Sequence, residues 1–312
     1  MRVVVTGSAG AVGSHMAEQL KREGHSVIGI DAFTDYYDPA EKRRTAAELS
    51  AQGIDTREAD LATAELSSCM PNDTEFILHF AAQPGISANV SFETYERNNI
   101  VATARLLEYA SRLPKLPGFI FISTSSVYGI LAVGNEESEP CPDSFYGATK
   151  LGAEQLTLSY ARCRLLPTAS ARLFSVYGER ERPDKLFRKL IAAIDSGTPF
   201  PLYEGSREHR RSYTYIGDII NGLSKMVAEF DKCHGEIFNL GTDKTYTTGE
   251  GIDCVEKIMG KKGQYVLTPP RQGDQKETAA DISKARAILG YEPHILLEEG
   301  LMREVVWCRG HS

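Results

Sequence analysis

Residues 2–13 read RVVVTGSAGAVG, an apolar run that passes directly into a glycine-rich turn. The valines at 3–5 are β-branched, which predicts a buried strand. Apolar residues then recur at helical spacing from Val12 to Leu20. A strand that turns through glycines into a helix is typical of the first unit of a doubly wound α/β fold. At such a turn the backbone amides of the helix N-terminus can approach a pyrophosphate.

The same alternation of short apolar runs and longer helical stretches continues along the chain. Short, fully apolar runs joined by crossovers are the pattern of buried parallel strands. We predict strands at residues 3–5, 27–30, 76–78, 119–122 and 171–174. The sequence therefore predicts a Rossmann-type α/β fold, with a doubly wound parallel sheet and a smaller C-terminal α/β domain that binds the substrate.

Composition excludes several classes of function. The 312 residues carry a formal net charge of -7, which gives no general attraction to nucleic acid or to an anionic membrane. No apolar run approaches the roughly 18 residues that span a bilayer, and the N-terminus reads as a strand rather than a secretion signal. The six cysteines show no zinc-site spacing. We predict no metal, no nucleic-acid or membrane partner, and a cytoplasmic location.

The glycine turn and the strand that follows it predict the cofactor. Asp31 ends the second predicted strand, where its carboxylate can accept hydrogen bonds from both ribose hydroxyls and would repel a 2′-phosphate. NAD is therefore favoured over NADP. Asp60 and Leu61 follow another short strand; Asp60 either closes a turn or binds the adenine amino group, and we favour adenine. The turn residues that we expect to contact the cofactor are Gly7, Gly10, Ala11, Val12 and Gly13.

A second group of residues predicts acid–base chemistry. Tyr146 and Lys150 lie one helical turn apart and therefore share a helix face. The segment STSSVYG at 123–129 follows a predicted strand and so lies at its carboxyl end, where ligands bind in this fold. We expect Thr124 from this segment to meet the phenol and the ammonium group in one crevice.

A phenol with a pKa of about 10 is a poor base near neutral pH. An ammonium group about 4 Å away, at an effective dielectric constant of ~20, contributes roughly 4 kcal/mol, or about three pKa units. We predict that Lys150, with the positive nicotinamide, stabilises the Tyr146 phenolate. The phenolate would then accept a substrate hydroxyl proton as hydride leaves the same carbon, with Thr124 holding that oxygen.

Together these motifs resemble the extended short-chain dehydrogenases/reductases. Within that group the chain is similar to the nucleotide-sugar epimerases, above all to UDP-glucuronic acid 4-epimerases. The resemblance implies a bound NAD, oxidation of the sugar at C4, rotation of the 4-keto sugar and return of hydride to its opposite face. It also implies that Ala81 lies against the cofactor. The stretches that carry it are DYYDP (35–39), AAQPG (81–85), SVYG (175–178), RPD (182–184) and YTYI (213–216).

The resemblance also indicates residues for a UDP-sugar substrate. Arg211, expected just before a strand-like stretch at 212–216, and Arg271 match positions that bind the nucleotide diphosphate, for which the planar guanidinium fork is suited. Neighbouring arginines leave this register open by one residue. Arg182 resembles a residue of the loop that closes over the sugar. The hydroxyls that could bind a carboxylate on C5 belong to Thr124, Ser125, Ser126 and Ser175.

By the same resemblance we expect a homodimer joined through helices at 96–112 and 147–163. We expect residues 1–172 to form the NAD-binding domain, to which the chain returns at 213–240. Residues 173–212 and 241–312 would form the nucleotide-sugar-binding domain.

This chain departs from the epimerase pattern at several positions, so the sequence leaves the identity of the sugar substrate open. Ser87 stands where many similar epimerases carry arginine, the triplet ERE fills 179–181, and KL fills 185–186. A 4,6-dehydratase would need Asp-Glu where this chain has Ser125 and Ser126, and serine cannot replace that acid and base near neutral pH. The remaining alternatives are a UDP-glucose/galactose 4-epimerase, a decarboxylating UDP-glucuronate synthase and a non-enzymatic NAD-binding scaffold.

Overall fold

A computed structural model shows a central sheet of seven parallel strands. The structure describes residues 1–87, 89–270 and 274–311. The strands are β1 (Arg2–Thr6), β2 (Ser26–Asp31), β3 (Asp55–Glu58), β4 (Phe76–His79), β5 (Gly118–Thr124), β6 (Leu131–Ala132), β7 (Thr168–Leu173), β8 (Val176–Tyr177), β9 (Phe200–Tyr203), β10 (Arg210–Arg211), β11 (Thr214–Tyr215), β12 (Ile237–Leu240), β13 (Tyr246–Thr247), β14 (Tyr265–Thr268) and β15 (Glu277–Thr278). The α-helices are α1 (Ala11–Arg22), α2 (Pro39–Ala51), α3 (Leu66–Cys69), α4 (Phe92–Tyr95), α5 (Ala102–Ala110), α6 (Phe145–Arg162), α7 (Leu186–Ser196), α8 (Ile216–Ala228), α9 (Phe230–Cys233), α10 (Thr248–Met259), α11 (Ser283–Leu289) and α12 (Leu297–Gly310).

The strand order of the central sheet is β12-β7-β5-β4-β1-β2-β3. The chain builds outward from β1 to β3, then crosses back and continues from β4 on the other side of β1. Thr6 at the end of β1 pairs with Ile30 on one side and with His79 on the other. This reversal opens a crevice above the carboxyl ends of the strands, where ligands bind in such sheets. The predicted Rossmann-type fold is confirmed.

Strand β1 shows why these residues form a buried strand. All three of its valines are fully buried, but successive side chains enter different cores. Val3 and Val5 pack in one cluster with Met16 of α1. Val4 packs on the opposite face with Leu106 of α5. Because both faces of the sheet are covered, an uninterrupted apolar run is the pattern that this strand requires.

Outside the central sheet the chain forms smaller sheets. Strands β13, β10, β15 and β6 form a four-stranded sheet, β9 pairs with β14, and β8 pairs with β11. Helix α8 packs on α1, and β12 then joins the edge of the central sheet. The division into two domains stays a prediction. Within the described residues, no helix has both the length and the apolar character needed to cross a membrane.

The structure corrects local expectations. Arg211 lies within strand β10, where it pairs with Tyr246, rather than before a strand. The strand-like stretch expected at 212–216 is only β11, because α8 begins at Ile216. In the expected helix at 96–112, the first turns, Glu96–Val101, have π-helical hydrogen bonding and lead into α5.

Candidate active site

Two glycines of the turn, Gly7 and Gly13, leave no room for a side chain. Gly7 has φ +68°, and a Cβ there would lie 2.8 Å from the backbone nitrogen of Ala81. A Cβ on Gly13 would lie 2.2 Å from the carbonyl oxygen of Gly7. The turn therefore presses against α1, whose first amides have no partner within the helix and open toward the cleft that Gly10–Gly13 line. Such a cradle of amides fits a dinucleotide pyrophosphate.

Asp31 lies at the end of β2 and lines the same cleft. Its Oδ2 accepts a hydrogen bond from the Ala9 amide at 3.0 Å, and its Oδ1 accepts one from the Phe33 amide at 2.9 Å. These bonds fix the carboxylate, and each oxygen keeps a further lone pair for a ribose hydroxyl. The arrangement fits NAD, the cofactor predicted from the sequence.

The expected adenine side of the cleft carries an ion pair. Asp60 pairs with Arg97 and accepts a hydrogen bond from the Ala62 amide at 2.9 Å, which together hold the pKa of its carboxyl below the usual value against the effect of burial. Leu61 is buried beside it. Both residues line the cleft, and their contact with adenine stays a prediction.

Two local features bring Tyr146 to Thr124. Thr124 ends β5 and caps a short 3₁₀ turn, where its Oγ1 accepts a hydrogen bond from the Ser126 amide at 3.2 Å. Helix α6 begins one residue before Tyr146, and Gly147 allows it to pack closely on this turn, since a Cβ there would lie 2.5 Å from the Ser126 carbonyl oxygen. The Thr124 side chain lies close enough to the Tyr146 hydroxyl to lower the pKa of the phenol.

Burial has the largest effect on the pKa values of Tyr146 and Lys150. Burial raises the pKa of Tyr146, and the groups that lower it are the Thr124 hydrogen bond and the Arg182 guanidinium. Burial also lowers the pKa of Lys150 to about 7, partly opposed by Glu154. Stabilisation of the phenolate by Lys150 together with the positive nicotinamide stays a prediction.

Arg182 reaches into the cleft from the loop that follows β8. Its Nε and Nη2 donate to the two oxygens of Asp184 at 2.9 and 3.0 Å. The Tyr36 hydroxyl donates to the same carboxylate at 3.3 Å. Gly85 faces this group, since a Cβ there would lie 3.0 Å from Arg182 Nη2. This cluster places a guanidinium at the mouth of the cleft, beside Tyr146.

The far end of the cleft carries the predicted diphosphate residue. Arg211 is mostly buried, donates to the backbone oxygen of Gln275 and lies 3.6 Å from the Asp274 carboxylate. His209 lies 3.3 Å from the same carboxylate. All four residues line the cleft. Arg271, the second predicted arginine, lies outside the described residues.

Gln275 is a contact that the sequence argument missed. Its side-chain amide donates to the carbonyl oxygens of Ser125 at 3.2 Å and of Gly129 at 2.9 Å. These bonds fix the backbone of the 3₁₀ turn that Thr124 caps.

Ser175, another predicted site residue, has φ +24°, and its Oγ lies 3.4 Å from the Thr278 Oγ1.

These groups share one cleft with a volume of about 580 Å³. Every predicted site residue that the structure describes lines it, from Gly7 to Arg211. The cleft also contains polar residues that were not singled out from the sequence: Tyr36, Tyr37, Lys42, Arg97, Glu179, Glu181, Asp184, His209 and Gln275.

Comparison with known proteins gives a consistent result. Residues 3–241 match the sequence profile of the NAD dependent epimerase/dehydratase family. The chain is 34% identical to UDP-glucuronate 4-epimerase 1 of Arabidopsis thaliana, over 98% of this chain and 76% of that protein. It is 35% identical to an uncharacterized UDP-glucose epimerase of Bacillus subtilis, over 98% of both. A solved structure of UDP-glucuronic acid 4-epimerase from Bacillus cereus, in complex with UDP-glucuronic acid and NAD, is similar over 100% of both chains, with 34% identity and a TM-score of 0.94.

Proposed function

This chain belongs to the NAD dependent epimerase/dehydratase family, and from that premise we propose that it interconverts UDP-glucuronate and UDP-galacturonate by inverting C4 of the sugar. The observation that carries the proposal is that Tyr146, Lys150 and Thr124 line one cleft together with the glycine turn, Asp31 and Arg211, with Thr124 close enough to the Tyr146 hydroxyl to lower its pKa. Ser125 and Ser126 next to it leave no acid–base pair for dehydration.

The residues have separate tasks in this reaction. Tyr146 accepts the proton of the C4 hydroxyl and returns it after the keto sugar has turned. Thr124 holds the oxygen through its hydroxyl, and Arg182 supplies positive charge that favours the phenolate. Lys150 adds to that charge in its cationic form. A bound NAD would accept the C4 hydride and give it back.

The residues around the sugar end favour a carboxylate on C5. Hydroxyls of Ser125, Ser126 and Ser175 line the cleft, and Arg182 adds a guanidinium. Hydrogen bonds to a charged acceptor contribute roughly 1.5–3 kcal/mol each, so a few donors suffice to select glucuronate. The second candidate is a UDP-glucose/galactose 4-epimerase, favoured by the similarity to the Bacillus subtilis protein.

Incubation with a panel of UDP-sugars separates the two candidates. We expect NMR to detect UDP-galacturonate from UDP-glucuronate, with little conversion of UDP-glucose. Preferred turnover of UDP-glucose would replace the first candidate by the second. A pentose as the main product would indicate a decarboxylating synthase instead.

Loss of the serine hydroxyls is expected to change the side reaction. The 4-keto form of glucuronate is a β-keto acid, which loses carbon dioxide when its carboxylate bond aligns with the carbonyl π system. We expect the double variant Ser125→Ala, Ser126→Ala to release several times more UDP-pentose per epimer than the parent enzyme, because the carboxylate is less restrained. Ser138→Ala, at a half-buried serine outside the cleft, is the control. An unchanged pentose-to-epimer ratio in the double variant would contradict this role.

We further propose a cytoplasmic homodimer. All six cysteines are free thiols, which suits a reducing compartment. Ala148 and Gly152 lie on the exposed face of α6, where small side chains would let a second copy approach. We expect light scattering to give twice the mass of one chain, and Ala148→Glu to give a monomer. Ala51→Glu, at the exposed end of α2, should stay dimeric. A monomer in the parent protein would exclude this assembly.

A further inference from the structure

A fully buried ion pair lies behind the cleft. The side chain of Glu154 on α6 is 0% exposed and that of Arg172 on β7 is 1% exposed. The guanidinium donates two hydrogen bonds to the carboxylate, at 2.6 and 3.0 Å, and the Ser170 hydroxyl donates a third at 3.1 Å. Neither charged residue lines the cleft. The reaction as described above therefore gives this pair no task.

Fold stability does not account for such a pair. Removing two charges from water is costly, and apolar residues of similar volume are often as stabilising as a buried ion pair. The position of the pair is more informative. Glu154 follows Lys150 by four residues on the same helix, so the carboxylate and the ammonium group share one face of α6.

The surroundings of Lys150 supply little other compensation for its charge. Its Nζ lies 4.0 Å from the centre of the Phe121 ring. His79 on β4 is held between the Thr6 and Thr103 hydroxyls, and burial lowers its pKa to about 3, so it is neutral at pH 7. Glu154 is the group that raises the pKa of Lys150 against burial.

Arg172 fixes the Glu154 carboxylate and weakens its electrostatic effect on Lys150. Its guanidinium lies 4.7 Å from the centre of the Tyr128 ring, and the Tyr128 hydroxyl donates to Asn239, so the arginine is fixed on its far side as well. The guanidinium holds the carboxylate in place through its two hydrogen bonds. It also offsets part of the negative field that reaches Lys150.

We propose that Glu154 is a positioning residue for the reaction: its carboxylate, fixed by Arg172 and Ser170, keeps Lys150 cationic next to Tyr146. The inference deepens the proposed function, on which it rests for the task of Lys150. The geometry of the pair does not depend on the identity of the sugar.

Two variants change the field at Lys150 in opposite directions. In Glu154→Gln the anion is lost, so the pKa of Lys150 should fall by at least about one unit from its value in the parent protein. In Arg172→Met the carboxylate is no longer offset, so the pKa should rise. The measurement is an NMR titration of ¹³Cε-labelled lysine, with the Lys150 signal assigned by its absence in Lys150→Arg.

The kinetic readout should follow the titration. Loss of the ammonium charge at high pH makes kcat fall, so this alkaline fall should begin at lower pH in Glu154→Gln and at higher pH in Arg172→Met. The KM for UDP-glucuronate should change little, because neither residue lines the cleft. A purely structural role would lower stability in both variants without moving the titration in opposite directions.

A control and a fallback keep the test decisive. Glu256 is also buried and pairs with Lys262, but it does not line the cleft, so Glu256→Gln should leave the Lys150 titration unchanged. If Glu154→Gln does not fold, the double variant Glu154→Gln, Arg172→Met removes both charges together. We expect it to fold and Lys150 to titrate below the parent value.

An unchanged Lys150 titration in Glu154→Gln, or in the double variant, would overturn the proposal, and so would a shift in the same direction in Glu154→Gln and Arg172→Met. A parent enzyme that turns over no UDP-sugar, but in which Lys150 titrates as expected, would contradict the proposed function alone. The two failures are therefore distinguishable.

Discussion

Replacing Tyr146 by phenylalanine is expected to lower kcat about a thousandfold, the range typical of removing a general acid–base group. The change removes one oxygen and leaves the ring in place, so NAD binding and folding should be kept. The neighbouring phenol of Tyr95 is not free to take over. The Tyr95 ring lies 6.3 Å from the Tyr146 ring, but its hydroxyl donates to the Gly85 carbonyl oxygen at 2.7 Å. The measurement is the initial rate of epimer formation, followed by NMR.

The pH dependence gives this prediction a second readout. Burial raises the pKa of Tyr146, so in the parent enzyme the phenolate fraction, and with it kcat, should increase with pH until Lys150 loses its charge. The residual rate of Tyr146→Phe should lack this rise. Tyr109→Phe, which removes a hydroxyl that donates to the Met70 carbonyl oxygen, is the control and should turn over normally. Turnover within a few fold of the parent in Tyr146→Phe would remove the basis of the proposed mechanism.

The parts of the site that the sequence predicted are those set by local spacing. Asp31 ends a strand because the apolar run stops there, and the fold places strand ends at the crevice. Tyr146 and Lys150 share a face because helix geometry requires it. Thr124 follows a run of buried residues in β5, and its place at the carboxyl end of that strand follows from the fold.

The parts that could not be predicted depend on contacts between distant segments. Tyr36 contacts Asp184, which lies 148 positions away along the chain. The sequence shows the stretches that contain these two residues, but it does not show that they pair. The same limit applies to charge. The low pKa of Lys150 results from burial by several elements and is partly opposed by Glu154, which pairs with Arg172 in another strand. Spacing within one helix contains none of this information.

A methyl group at Gly13 is expected to abolish NAD retention. The new Cβ would lie 2.2 Å from the Gly7 carbonyl oxygen and 2.9 Å from the carbonyl carbon. Gly7 cannot move away easily, because its amide donates to the Ile30 carbonyl oxygen at 2.7 Å and its other side is pressed against Ala81. Overpacking against backbone costs about 3 kcal/mol. If this free energy is lost entirely from NAD binding, NAD binds roughly a hundredfold more weakly.

Gly10→Ala is the matched control, because it makes the same change in the same turn. There the Cβ would lie 3.2 Å from the Gly7 oxygen, with φ -80° at a helix N-cap that other residues can adopt. Titration of the cofactor-free variants with NAD, together with their free energy of unfolding, should show a large loss for Gly13→Ala and a much smaller one for Gly10→Ala. Equal losses of NAD affinity in the two variants would contradict the argument from the geometry of the turn. If only Gly13→Ala loses much NAD affinity, cofactor binding depends on the close approach of α1 to the Gly7 carbonyl oxygen.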